Sequence, residues 1–104
     1  MDRDELLKRA KAALRAAFAE RLQGVVLYGS EARGDAAPDS DVDLLVLLAP
    51  PVNRRVDLWA CICALYPLVL ELERPIHARP VDAGDYESGA LPLYREAKRE
   101  GVLV

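Results

Sequence analysis

Near the N-terminus apolar residues recur at three- and four-residue steps: Leu6, Leu7, Ala10, Leu14, Ala17, Phe18 and Leu22. That period predicts an amphipathic helix over residues 4–22, capped by Asp2 or Asp4, with Gly24 at the position where a glycine ends a helix. The pattern then shortens. Residues 25–28 are a brief apolar run broken by Gly29, and residues 42–49 are a longer one, with Asp39 and Ser40 before it and Pro50 and Pro51 after it. An apolar run without alternation suits a strand covered on both faces, hence a central one. Residues 32–38 between the two runs read as a loop punctuated by Gly34 and Pro38.

Helical spacing returns over residues 52–73, where Val56, Trp59, Ile62, Cys63 and Tyr66 give an apolar stripe and Pro51 suits a helix start. Pro67 lies inside that pattern and predicts a kink or break near Tyr66. Residues 76–81 read as a third strand, which Pro80 restricts to a sheet edge or a strand end. Residues 82–89 read as a turn or short helix and 92–100 as a last helix, ended by Gly101 before the apolar tail of Val102, Leu103 and Val104. The order helix, strand, strand, helix, strand, helix predicts an α/β or α+β fold with a small mixed sheet and helices on at least one face.

Length and charge narrow this picture. A chain of 104 residues is expected to form one domain over its whole span, burying roughly 60–68% of its unfolded surface. The net charge of −3 gives no basic footprint, so nucleic acid is not an expected partner of the bare domain. Cys61 and Cys63 are two apart in a predicted helix and point to different faces, so they read as reduced, small core residues rather than a disulfide. No basic segment precedes an apolar run at the N-terminus, and no apolar stretch approaches the ~20 residues of a membrane span. The expected location is cytoplasmic, with no membrane partner.

The charge is unevenly placed. Asp35, Asp39, Asp41 and Asp43 crowd one stretch, and no Lys or Arg occurs between Arg33 and Arg54. Two carboxylates at i and i+2 of a strand share a face, with Cα atoms roughly 6.6 Å apart. At that spacing two charges repel by about 2.5 kcal/mol at an effective dielectric near ~20, a cost a strand can carry when a cation sits between them. On the other side of the loop, Gly29 lets the chain turn tightly and lets another group approach the backbone. A helix starting at Ser30 would aim its free N–H groups and hydroxyl at an anion, and Arg33 would add a guanidinium to the same phosphate. Asp41 and Asp43 would then hold divalent cations that bridge to phosphate oxygens, a donor set suited to Mg²⁺ and to phosphoryl or nucleotidyl transfer. Asp39, Asp41 and Asp43 also imitate the start of an EF-hand loop, but Leu44 and Pro50 stand where that loop needs Gly and Glu. No P-loop or GxGxxG occurs.

Strand, Gly29 and Ser30, ten residues, Asp41-x-Asp43, apolar strand: this combination resembles the minimal nucleotidyltransferases of the DNA polymerase beta superfamily. GSEARGDAAPDSDVDLLVLL, residues 29–48, carries the resemblance, with weaker support from PLYREAKREGVLV, residues 92–104. It implies the nucleotidyltransferase fold, a mixed sheet flanked by helices, with ATP as donor and Mg²⁺ as cofactor, two ions being possible. It implies that Gly29 and Ser30 contact the nucleotide phosphates, with Arg33 beside them, and that Asp41 and Asp43 are the catalytic, metal-binding pair. Small members of this kind are often encoded beside a HEPN-domain protein, for which they act as antitoxins by transferring AMP to a tyrosine of the toxin. The implied function is therefore transfer of AMP from ATP to a hydroxyl of a partner protein. The alternative is a domain that keeps the fold and neutralises its partner by contact alone. A third reading, a small-molecule transferase resembling aminoglycoside nucleotidyltransferases, calls for an acceptor-binding domain for which these residues leave no room.

The resemblance breaks at one place. Such enzymes take a third carboxylate from the next strand, but Ile76, His77, Ala78, Arg79, Pro80 and Val81 include no acid. His77 and Arg79 share one face and compete for that position, and His77 can accept a proton near neutral pH. Asp82 has the opposite parity to His77.

Overall fold

The computed structural model describes residues 1–35, 37 and 40–104. Ala36, Pro38 and Asp39, which the sequence assigns to the loop and its acidic cluster, lie outside the described residues. In chain order the elements are α1 (Arg3–Phe18), a 3₁₀ turn (Ala19–Arg21), β1 (Leu22–Tyr28), α2 (Ser30–Arg33) and β2 (Val42–Leu48). They continue with α3 (Arg54–Leu72), β3 (Ile76–Asp82), α4 (Ala83–Ser88), α5 (Pro92–Glu100) and β4 (Val102–Leu103). The sheet order is β3-β2-β1-β4. β1 runs antiparallel to both β2 and β4, while β2 and β3 are parallel and joined by the crossover helix α3. The sheet is therefore mixed, as the element order predicts.

Strand β2 is central and covered on both faces. Leu44, Val46 and Leu48 join α1 and α3 in one core, with Leu14, Phe18, Cys61 and Leu65. Leu45 and Leu47 join Val26, Val81, Tyr86 and Ala97 in a second core beneath α4 and α5. Each fully buried Leu or Val adds roughly 1.5–3 kcal/mol of transfer free energy, so Val42 and the run Leu44–Leu48, interrupted only by the half-buried Asp43, form the main hydrophobic anchor.

Several boundaries differ from the sequence expectation. Asp2 is the N-cap of α1, accepting the Glu5 N–H at 2.8 Å, and Leu6, Leu7, Ala10, Leu14 and Phe18 are buried, whereas Ala17 is exposed. The helix stops before Leu22, because Leu22 pairs with Leu48 and is buried in the sheet. Gly24 consequently sits within β1, beside a register shift, and caps nothing. The C-terminal tail is a strand as well: Val102 and Leu103 pair with Leu27 and Val26, and the Val104 N–H donates to the Val25 carbonyl at 2.8 Å. Gly101 permits this approach, since a Cβ there would lie 2.8 Å from the Leu27 carbonyl oxygen.

Helix α3 departs most. Its N-cap is Asn53, whose side chain accepts the Val56 N–H at 3.1 Å, so Pro51 precedes the helix rather than opening it. The helix also passes Pro67 without a break. Pro67 removes only the bond to the Cys63 carbonyl one turn back, and both residues are exposed, so water can satisfy that group. The expected stripe is the outer face: Val56, Trp59, Ile62 and Tyr66 are exposed, and so is Cys63. The buried side is instead Asp57, Cys61, Leu65 and Leu68. Cys61 alone is a core thiol, and burial pushes its pKa up to about 12.

Asp57 enters that core as an ion. Arg21 donates to its two carboxylate oxygens at 3.1 and 2.9 Å, and the Asn53 N–H donates at 3.0 Å, tying the start of β1 to the first turn of α3. Among the described residues no helix is long and apolar enough to cross a membrane.

Candidate active site

Strand register assembles the site. Tyr28 of β1 pairs with Asp43 of β2, and Asp43 pairs with His77 of β3, so the three side chains form one row across the sheet. Alternation places them on the face that carries Val26, Leu45 and Val81, the α4 and α5 side. Arg79, two residues beyond His77, shares that face. Asp41 lies just before β2 on the same parity as Asp43.

The turn after β1 packs directly on this row. Gly29 has φ +76°, a conformation that strains any residue with a side chain, and a Cβ built there would stand 2.7 Å from Asp43 Oδ2. Only glycine lets the backbone leading into Ser30 pass so close to the carboxylate. Ser30 then opens α2, a single turn held by the Arg33 N–H donating to the Gly29 carbonyl at 3.2 Å. The structure thus brings together Gly29, Asp41 and Asp43, with Ser30 adjacent.

His77 stands between the two acids. Its Nε2 lies 3.2 Å from Asp41 Oδ2 and its Nδ1 lies 4.0 Å from Asp43 Oδ1. Burial raises the Asp43 carboxyl above its usual range; His77 and Arg79 pull it down while the charge of Asp41 pushes it up. The Tyr28 hydroxyl is likewise raised, first by burial and then by Asp43, so it stays neutral. On β3 the positions that share the face of the Asp pair hold imidazole and guanidinium, not an acid.

A cleft of about 490 Å³ opens over Tyr28, Asp43, His77 and Arg79 and extends to Arg54, Leu58 and Ile62 of α3. Its size falls within the ~300–1,000 Å³ usual for small-molecule sites. Arg33 faces a smaller cavity of about 140 Å³ beside Tyr28 and Gly29. There its guanidinium pairs with Asp35 at 3.4 Å and Glu100 at 3.9 Å. Tyr28 and Arg54 were not singled out from the sequence. Tyr28 joins only through the β1–β2 register, and Arg54 only through the start of the crossover helix.

Among the described residues no group of three or more His, Cys, Asp or Glu side chains is arranged to hold a metal ion by itself. The donor set is two carboxylates, one of them half-buried and raised by its surroundings, a pair that a divalent cation would relieve.

Residues 7–99 match the family model of the nucleotidyltransferase domain. Two proteins of Methanocaldococcus jannaschii, both provisionally named protein adenylyltransferases, are similar in sequence. One is 29% identical over 70 residues, 67% of this chain and 70% of that protein. The other is 43% identical over 54 residues, 52% of this chain but only 34% of that protein. A toxin–antitoxin crystallised with AMP-PNP is similar in fold, with a TM-score of 0.67 at 21% identity over 92% of this chain and 69% of that one.

Proposed function

Because this chain belongs to the nucleotidyltransferase domain family and is an enzyme of that class, we propose that it transfers AMP from ATP to a hydroxyl of a partner protein, a HEPN-type toxin whose antitoxin it is. One observation carries the reading: a Cβ at Gly29 would lie 2.7 Å from Asp43 Oδ2, and this close approach supports reading the Gly29–Ser30 turn and the acidic pair as one site. The names of the similar proteins, protein adenylyltransferase and toxin–antitoxin, support the donor class and the kind of partner.

The residues divide the work as follows. The backbone at Gly29 and the hydroxyl of Ser30 receive phosphate oxygens. Asp41 and Asp43 are the residues that would hold Mg²⁺, an ion that typically takes only one or two protein carboxylates. When bound, the ion neutralises phosphate charge and favours departure of pyrophosphate. The acceptor oxygen forms its bond to the α-phosphorus as the bond to the bridging oxygen of pyrophosphate breaks. His77, beside Asp41, takes the proton that the acceptor hydroxyl loses. Arg54 and Arg79 face the same cleft and supply positive charge toward the polyphosphate.

Incubating the protein with ATP, Mg²⁺ and its partner should raise the partner's intact mass by one AMP. Changing Asp41 and Asp43 together to Asn should abolish that gain. The absence of an acid at 77 and 79 favours a second reading, neutralisation by contact alone. That reading stands if the partner is silenced without gaining mass and the double variant silences it equally well.

A further inference from the structure

Arg74 lies between α3 and β3 and does not line the cleft. Its side chain is only 14% exposed, and that of its partner Glu31 only 15%. Two guanidinium nitrogens donate to the two Glu31 carboxylate oxygens, Nη1 at 3.2 Å and Nη2 at 3.1 Å. The third, Nε, donates to the Ser40 carbonyl at 2.9 Å, and Nη2 also approaches Ser40 Oγ at 3.5 Å. Glu31 follows Ser30; Ser40 precedes Asp41. One side chain therefore fastens the carboxylate of the residue after Ser30 to the backbone of the residue before Asp41, from opposite ends of the loop. The next residue adds to the same joint, since the Val42 N–H donates to the Pro75 carbonyl at 2.9 Å.

The charge matters as much as the span. Glu31 places a carboxylate one residue from a position read as receiving phosphate, where an unpaired negative charge would repel the ligand. Arg74 neutralises that carboxylate with a planar fork, a geometry lysine cannot reproduce.

We infer that Arg74 is a positioning residue of the nucleotide site, setting the distance between the Gly29–Ser30 turn and Asp41 and cancelling the charge of Glu31. This rests on the nucleotide reading of the cleft given above. It predicts an unusual order of effects. Replacing Arg74 frees a carboxylate beside the phosphates, so removing Glu31 as well should restore part of what was lost.

The test is ATP affinity with Mg²⁺, by calorimetry, for the wild type, Arg74→Gln, Glu31→Gln and the double variant, with thermal unfolding as the check on folding. Arg74→Gln should bind ATP about tenfold more weakly, a loss of about 1.4 kcal/mol, and the double variant should recover at least about threefold of that. Arg74→Lys should also bind more weakly than wild type, because charge without the fork does not hold both partners. A folded Arg74→Gln that binds ATP like wild type overturns the proposal. So does a double variant no better than Arg74→Gln, which is what a merely structural role produces. Wild-type protein that binds no ATP instead overturns the nucleotide reading itself, a separate result. If Arg74→Gln does not fold, the Arg74→Lys comparison with and without Glu31→Gln decides by the same criterion.

Discussion

At Asp43 the needs of the site and of the fold pull in opposite directions. Burial raises its carboxyl above the ordinary value of 3.8, so folding favours the protonated form. The stabilising contribution of that proton is complete below 3.8 and is lost as the pH rises through the higher native value. At neutral pH the folded protein carries an ionised Asp43 at a cost. In metal-free buffer Asp43→Asn should therefore raise stability at pH 7, the gain fading as the pH approaches 3.8. Mg²⁺ should raise the melting temperature of the wild type and leave the variant unmoved, because binding to the native state stabilises by mass action. A thermal series over pH, with and without the metal, checks both. Gly29 is the steric counterpart. Gly29→Ala forces a side chain into a strained φ and against the carboxylate, and should cost about 1–3 kcal/mol by urea unfolding while abolishing transfer.

Between elements, the joint formed by Arg21 and Asp57 holds the start of β1 to α3 and has an asymmetry that can be measured. The Asp57 side chain is 5% exposed and the Arg21 side chain 40%. Losing Arg21 strands a buried carboxylate, whereas losing the charge on Asp57 leaves a guanidinium that can turn to water. Arg21→Ala should cost about 3 kcal/mol and Asp57→Asn about 1 kcal/mol in urea titrations, and equal costs would contradict the pairing. The hydrogen bonds from Arg21, with a further one from the Asn53 N–H, hold the Asp57 carboxyl below the ordinary 3.8. The stability from this pair is therefore present above 3.8 and lost as the pH falls through the lower native value. Three of the four strands and the order of the larger elements were legible because apolar runs and prolines are local signals, whereas β4 is too short to show a pattern of its own. The face of α3 was not: its apolar residues surround the axis, so Cys61, Leu65 and Leu68 compete with Val56, Trp59, Ile62 and Tyr66 for the core. Only the parallel placement of β3 beside β2 decides which side turns inward.

For the molecule as a whole, what could be read of the site follows sequence distance. Gly29, Ser30, Asp41 and Asp43 lie within one strand–loop–strand unit, and their juxtaposition needs only an antiparallel pair. His77 at Asp41 requires the register of a crossover, and the pairing of Arg74 with Glu31 joins residues 43 positions apart. Neither leaves a periodic trace. Tyr28 was hidden for a related reason, since a residue ending an apolar strand looks like core until the row it belongs to is known.

The outward face of α3 has a practical consequence. Trp59 is the only tryptophan of the chain, and it is 66% exposed in the folded protein. Its indole meets water before unfolding as well as after, so the emission maximum should shift little across a denaturation curve that circular dichroism resolves clearly. The same exposure makes it a built-in optical reporter: anything that settles on this face moves the indole out of water and shifts its light to the blue. A titration watched at that wavelength needs no added label.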